Sequence, residues 1–225
     1  MKTTKLLLTA AALLWLVAGC IVSDELTTLT VQPDGSADWV RFQSNIRSTE
    51  KGEKGAEELK RFVEEFEGRR DPECVRIRES GGEILEARWV RRQEPYATVV
   101  TARLPSATAL EHFCTLKDEK GEAVVQARFA QHGQRRRLTL AIRAPKDDQP
   151  AAPSKPTELE RRQEQANGFS ETRLITSGGQ IIASRGFTVA ADKRSALLDT
   201  SAVQDLLQAG GGQAEIFLEW ELAGS

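Results

Sequence analysis

The sequence predicts an α+β fold with a curved, mainly antiparallel sheet of eight to ten strands and two or three packing helices. Short segments in which apolar and polar residues alternate recur along the chain, and turn sequences such as Pro-Asp-Gly-Ser at residues 33–36 separate them. A few segments with helical spacing lie between these strands. No segment has the strand–long helix–strand pattern that is typical of a parallel sheet, so we expect most strands to be joined as hairpins.

The first elements along the chain are a hairpin and a helix. Leu29 and Val31 alternate with polar neighbours before the turn at 33–36, and the strand pattern resumes over residues 39–43. A helix follows, and Gly68 provides its end. Its apolar residues, at the i, i+3, i+4, i+7 spacing of an amphipathic helix, are Leu59, Phe62, Val63 and Phe66.

Three antiparallel strands and a short helix are predicted next. The strands cover residues 75–77, 85–89 and 96–104, with Leu85, Ala87 and Trp89 expected on one face. Ser106 can cap the short helix that follows, which carries Leu110 and Phe113 on its apolar side. A second hairpin is predicted from the alternation over residues 123–129 and 138–142.

The last third of the chain begins with a Pro-rich exposed insertion near residues 145–168. Short strands are predicted at 174–176, 181–183 and 187–190, and a helix is predicted to be capped at Ser201. The final strand shows the most regular alternation in the chain. Its apolar face consists of Ala214, Ile216, Leu218, Trp220 and Leu222.

The N-terminal residues have the parts of a secretory leader: Lys2 and Lys5, an apolar stretch at 6–16, and small residues before a break. The sequence Val-Ala-Gly-Cys at residues 17–20 resembles the bacterial lipobox. In that family the cysteine thiol receives a diacylglyceryl group, the chain is cut before the cysteine, and the new amine is often acylated. We therefore expect a signal peptide at 1–19, lipidation of Cys20, a short lipidated tether at 20–25, and a single α+β domain at 26–225.

Charge and hydropathy narrow the possible partners. The first 19 residues hold two of the 31 Lys and Arg residues and none of the 33 Asp and Glu residues, which leaves a formal net charge of about −4. This composition does not indicate binding to nucleic acid. A membrane, reached through the Cys20 lipid, is the expected partner, with a lipid or an envelope protein as a second one. Because Ile21 rather than Asp follows the cysteine, the expected location in a bacterium with two membranes is the outer membrane, facing the periplasm.

Two cysteines remain if Cys20 carries lipid. An even pair in an oxidising compartment favours a disulfide, and closing the 41-residue loop between Cys74 and Cys114 would stabilise the fold by about 3–4 kcal/mol. The other interpretation is that Cys114, on the apolar side of a short helix, is an inert buried thiol. No motif places a base beside either cysteine, so neither is expected to be catalytic.

Two segments resemble the LppM-type lipoprotein domain. The first is residues 29–42, with Val-Gln-Pro-Asp-Gly-Ser-Ala at its centre, and the second runs from Leu174 through Gly178-Gly179 to Asp199. The resemblance implies an α+β module with a curved antiparallel sheet. For one branch of that family it also implies lipid or glycolipid binding in the cell envelope. No binding residue can be carried over to this chain.

The sequence predicts no catalytic, cofactor-binding or metal-ligating residue. His112 and His132 are the only histidines, and no CxxC, HExxH or GxSxG motif occurs. Glu219 and Glu221 lie two residues apart on a strand, which favours a solvated outer face over a glycosidase pair. The strand tryptophans indicate core packing or the lining of a hydrophobic pocket. We therefore expect a non-enzymatic module that binds a lipid or other hydrophobic ligand, with a partner-binding protein whose core is filled as the alternative and an envelope hydrolase as the third hypothesis.

Overall fold

The computed structural model describes residues 21–118, 120–144 and 169–223. The predicted α+β class with mostly antiparallel pairing is confirmed. The described residues form twelve strands and four helices, which are β1 (Ile21–Val31), β2 (Ala37–Ser48), α1 (Gly52–Glu67), α2 (Pro72–Glu79), β3 (Glu83–Arg91), β4 (Tyr96–Leu104), α3 (Ala107–Cys114), β5 (Leu116–Lys117), β6 (Ala123–His132), β7 (Arg135–Arg143), β8 (Ser170–Thr176), β9 (Gly179–Arg185), β10 (Phe187–Val189), β11 (Ser195–Leu198), α4 (Thr200–Ala209) and β12 (Gln213–Leu222).

The strands form two sheets rather than the one sheet of eight to ten strands that the alternation predicted. One sheet has the order β10-β11-β8-β1-β2-β4-β3, and the other has the order β5-β6-β7-β12-β9. Among the described strands, β1 and β8 form the one parallel pair. The strand count exceeds the expectation because β5 and β11, which were not predicted, have only two and four residues, too few for alternation to reveal them.

Both sheets contribute to one hydrophobic core. The turn between β1 and β2 reaches the second sheet, since Arg136 in β7 donates from Nε to the carbonyl oxygen of Pro33 at 2.6 Å. Inside, Trp39 packs edge-on against Phe113 of α3 with ring centroids 5.6 Å apart. From the other sheet, Trp220 packs at 5.9 Å from Phe129. The regular alternation predicted for β12 is confirmed, with its buried residues on one face.

The predicted strand at 75–77 is wrong, because these residues belong to helix α2. Asp71 caps the helix by accepting a hydrogen bond from the Cys74 backbone N–H at 3.3 Å, and Pro72 occupies its first turn. The buried residues of this segment, Glu73, Cys74 and Ile77, follow a helical spacing. The apparent alternation with arginines is therefore a coincidence, since Val75 is exposed whereas Ile77 is buried.

Two smaller expectations also change. In β3 the pairing register shifts between Ile84 and Glu86. As a result, Ile84 rather than Leu85 lies with Ala87 on the inner face, and Leu85 is 49% exposed. The cap of α4 is Asp199, whose Oδ1 accepts a hydrogen bond from the Ala202 backbone N–H at 3.0 Å. The capping prediction named Ser201, which lies two residues further on, inside the helix.

The predicted tether at 20–25 is replaced by strand, because β1 begins at Ile21. Ile21 lies opposite Ser48, and Val22 lies opposite Arg47, so the strand is paired from its first residue. The predictions for the leader at 1–19, for Cys20 and for the insertion near 145–168 concern residues outside those that the structure describes. The first described residue after Cys20 is thus already part of the seven-stranded sheet.

Candidate functional site: a buried ionic cluster beside the first strand

A cluster of charged and polar side chains lies on the inner face of the seven-stranded sheet, close to the start of β1. It combines Glu25 and Thr27 from β1, Arg41 from β2, and Asp71 and Glu73 at the beginning of α2. Each of these five residues is less than 8% exposed. Buried charges are costly unless they are paired, so the contacts within the cluster decide whether it is stable.

Arg41 is the central cation of the cluster. Its Nη2 donates to Asp71 Oδ1 at 3.1 Å, and its Nη1 donates to Glu73 Oε2 at 2.5 Å. Burial disfavours the charged guanidinium, but the facing carboxylates of Glu73 and Asp71 outweigh burial and raise the pKa of Arg41. One side chain on a strand is therefore bonded to two acids in the first turn of a helix.

Glu25 supplies a third carboxyl group to the cluster. Its Oε1 accepts a hydrogen bond from Thr27 Oγ1 at 3.2 Å, and its Oε2 accepts one from Gln43 Nε2 at 3.2 Å. Burial raises the pKa of Glu25 to about 7; the Arg41 charge opposes this rise, and the neighbouring Glu73 carboxylate adds to it. Glu25 thus changes its charge near neutral pH while the two acids on α2 are held by Arg41.

Both cysteines predicted as a disulfide lie beside this cluster, on α2 and α3. They are buried free thiols in the structure, so the bridge between Cys74 and Cys114 stays a prediction. Burial raises the pKa of Cys74 to about 12 and that of Cys114 to about 11. Arg76 connects the two regions: its Nη2 lies 3.7 Å from Glu73 Oε1, and its guanidinium lies 4.4 Å from the centre of the Phe113 ring.

The arrangement is suited to holding the start of β1 in place. Its carboxyl groups are buried and hydrogen-bonded, those of Asp71 and Glu73 to Arg41 and that of Glu25 to Thr27 and Gln43, so they are not presented to a ligand from solution. The cluster links the paired strands β1 and β2 to helix α2, which does not pair with either strand: Glu25 lies on β1, Arg41 on β2, and Asp71 at the start of α2. The site therefore fixes the orientation of the strand that directly follows Cys20.

The sequence expectations did not include this cluster, although two inward-facing charges on β1 and β2 indicate it. Arg41 has the same strand phase as Ala37 and Trp39, and Glu25 has the same phase as Leu29, so both charges occupy positions where an apolar residue is expected. A charge at an inward position indicates a buried partner. The partners themselves were not identified, because Asp71 and Glu73 precede the segment at 75–77 that was predicted as a strand, and no helix was expected to begin there.

The remaining candidate residues lie apart from the cluster. His112 and His132 are both exposed. Glu219 and Glu221 lie on the outward-facing side of β12, where they face Arg137 and Arg135. The strand tryptophans are core residues, since Trp39 and Trp220 are at most 2% exposed and Trp89 packs 4.8 Å from the Phe66 ring. Among the residues described, no group of three or more His, Cys, Asp and Glu side chains has the arrangement of a metal site.

No protein-family model and no curated protein matches the chain. A structural neighbour is the folded domain of LppM from Mycobacterium tuberculosis, solved by NMR. It covers 93% of this chain and 95% of its own, with 9% identity and a TM-score of 0.42. The Fcho1 Mu homology domain of Danio rerio with bound Eps15 peptide covers 90% of this chain and 79% of its own, with 9% identity and a TM-score of 0.19. In the described part of the chain, no helix has the length and hydropathy needed to cross a membrane.

Proposed function

We propose that this chain is a lipid-anchored protein of the bacterial cell envelope whose folded part is a non-enzymatic binding or assembly module. One observation carries the proposal: the lipobox-like sequence at 17–20 is followed without a linker by β1, which is an internal strand of the seven-stranded sheet. A lipid on Cys20 would therefore hold the folded body itself at the bilayer. Two or three acyl chains are needed for stable anchoring, as in the lipobox family.

The packing of the interior favours binding through the surface over binding inside the sheet. The largest fully buried side chains come from both sheets and from α3, and they occupy the space where a hydrophobic ligand would otherwise be sheltered. They include Trp39, Trp220, Leu104, Leu110 and Ile216. We therefore place partner binding by a filled body ahead of an enclosed lipid ligand.

The ionic cluster supports a non-enzymatic role. A hydrolase that works with a pair of carboxyl groups, such as a glycosidase, needs them within reach of its substrate. Asp71 and Glu73 are instead buried and bonded to Arg41, and Glu25 is bonded to two neighbouring side chains. Glu219 and Glu221, on the outer face of β12, face arginines on the neighbouring strand.

Lipid labelling in a bacterial host tests the anchoring. Cells that express the chain are given a labelled fatty acid, and the protein is then isolated and separated by mass. We expect label in the unchanged protein and none in Cys20→Ser, while Cys114→Ser, which changes a buried cysteine of the body, keeps its label. Label in Cys20→Ser, or no label in the unchanged protein, would overturn the proposal.

Native mass spectrometry of the protein extracted from membranes separates the two modes of binding. A filled body is expected to have the mass of the lipidated chain alone, or of that chain with a protein partner. A stoichiometric additional lipid that survives washing in detergent would instead support an enclosed ligand.

A further inference from the structure

The inner face of the seven-stranded sheet is unusually polar near the start of β1. Two cross-strand rows lie there, and backbone pairing defines them: Glu25 lies opposite Gln43, which lies opposite Thr98, and Thr27 lies opposite Arg41. Four of these five residues are less than 8% exposed, and Gln43 is half-buried. The side of the sheet that faces the protein interior is thus built here from charged and hydrogen-bonding groups.

The outer face has the opposite polarity in the same place. Leu26 lies opposite Phe42, and Phe42 lies opposite Val99, so three neighbouring strands form an apolar row on the outer face, in which Phe42 and Val99 are half-buried. Leu26 is 45% exposed. Charged residues stand at the two ends of the row, Glu171 on β8 and Arg88 on β3. A sheet that places ions inside and aliphatic and aromatic groups outside has an outer face suited to an apolar environment.

The apolar character fades from the Leu26 row toward the turn between β1 and β2. In the next row, Val40 is 37% exposed and stands between Thr28 and Thr101. In the row beyond it, Asp38 lies opposite Arg103, and the two side chains form an ion pair at 3.0 Å. On the side toward Cys20, Asp24 lies opposite Ser44, so polar residues border the apolar row of Leu26, Phe42 and Val99 along the face in both directions.

We propose that this outer face lies along the membrane surface, with Leu26, Phe42 and Val99 seated at the level of the lipid headgroups. The inference rests on the proposed lipidation of Cys20. Leu26 is six residues beyond Cys20, about 20 Å along a strand. An upright strand would lift this row well above a headgroup layer of about 5–8 Å, whereas a strand lying flat places the row on the bilayer.

The arginines at the border of the apolar row fit this orientation. Arg88 and Arg173 are half-exposed, and each pairs with an acid on its own strand at 2.7 and 3.2 Å respectively. Long arginine side chains can lie along an apolar surface while the guanidinium reaches the phosphate level. The lipid surface is thus met by apolar groups at the centre of the face and by arginine–glutamate pairs at its border.

Quenching of tryptophan fluorescence by lipids tests the orientation. The lipidated protein is reconstituted in vesicles of phosphatidylethanolamine and phosphatidylglycerol whose acyl chains carry bromine. Leu26→Trp is the probe, and Val40→Trp is a second probe on the same face. Ile182→Trp is the matched control, because Ile182 is 46% exposed on β9 of the other sheet. The emission of the unsubstituted protein is subtracted to remove the native tryptophans.

We expect brominated lipid to remove about half of the added emission of Leu26→Trp and much less of that of Ile182→Trp. Equal quenching at both positions, or quenching only at Ile182→Trp, would overturn the inference. A blue shift of Leu26→Trp that depends on protein concentration in detergent would also overturn it, because it would assign the face to a second copy of the chain. Protein that carries no lipid and does not float with vesicles contradicts the proposed function instead.

Discussion

Arg41 and Asp71 are 30 residues apart in the chain, and the guanidinium of one donates to the buried carboxylate of the other at 3.1 Å. This contact links the middle of β2 to the cap of α2, and Asp71 uses the same Oδ1 atom to cap the helix at Cys74. Helix initiation and charge compensation therefore depend on one side chain. The stability of the region should respond strongly to a change in either partner.

Arg41→Met tests the ionic cluster. The change leaves Asp71 buried without its cation and Glu73 with only Arg76 at 3.7 Å, and breaking a buried pair from one side destabilises a protein by about 3–5 kcal/mol. Arg103→Met is the matched control, because Arg103 pairs with Asp38 on the exposed face and such pairs contribute at most about 1 kcal/mol. Urea denaturation followed by circular dichroism measures both. Equal losses for the two variants would contradict a special role for Arg41.

Glu25→Gln tests the pH dependence of the cluster. Burial raises the pKa of Glu25 from 4.5 to about 7 in the folded protein, so the folded state binds more protons than the unfolded state between these values. Proton binding to Glu25 therefore stabilises the folded protein. This stabilisation amounts to about 3 kcal/mol, is complete below pH 4.5, and is lost as the pH rises through 7. The variant should lack this decline.

The measurement is the free energy of unfolding of both proteins at several pH values from 4 to 9. Glu171→Gln, on the outer face of β8, serves as the control and should keep the decline, because Glu25 is unchanged in it. Parallel pH profiles for the unchanged protein and Glu25→Gln would show that Glu25 does not titrate in this range.

The thiols of Cys74 and Cys114 should resist alkylation in the reduced, folded protein. Both are buried, and burial raises the pKa of Cys74 to about 12 and that of Cys114 to about 11, so little thiolate is present at neutral pH. Peptide mass spectrometry after iodoacetamide treatment measures this directly, and an exposed cysteine introduced by Ser201→Cys should react at once. Modification of Cys74 at the same rate would contradict the structure.

The predicted disulfide is tested in the same experiment without reductant. Denatured protein isolated from an oxidising compartment is alkylated directly: bridged cysteines stay unmodified, whereas free thiols react. A bridge would add about 3–4 kcal/mol of stability over the reduced form.

Gly35→Ala should destabilise the protein more than Gly81→Ala. The two glycines have similar positive φ values, +85° and +81°. Both substitutions therefore place an alanine in a left-handed backbone conformation, which costs about 1–2 kcal/mol. At Gly35 the new Cβ would also lie 2.6 Å from the Ala107 side chain and 2.7 Å from Phe129, whereas the space at Gly81 is open. Overpacking adds about 1–3 kcal/mol. Thermal unfolding measures the difference, and equal losses would contradict the close approach of the β1–β2 turn to β6.

Local patterns in the sequence were sufficient for elements whose packing repeats at a regular interval. The alternation in β12, the spacing of Phe62 and Phe66 in α1, and the cap at Ser106 predicted those elements correctly. Each depends on interactions within a few residues of the chain, or on one face that is buried throughout. The segment at 75–77 was predicted wrongly because its arginines alternate with apolar residues by chance, while the decisive cap at Asp71 lies outside that pattern.

By itself, the sequence determined the α+β class, most of the strands, and the expectation of a lipidated Cys20. Only the tertiary structure decided that the strands divide into two sheets, that β8 pairs in parallel with β1, and that Glu25 and Arg41 meet the acids of α2. The physical reason is the range of the interactions. Side-chain alternation is a local property, whereas strand pairing and the compensation of a buried charge join residues that are tens of positions apart.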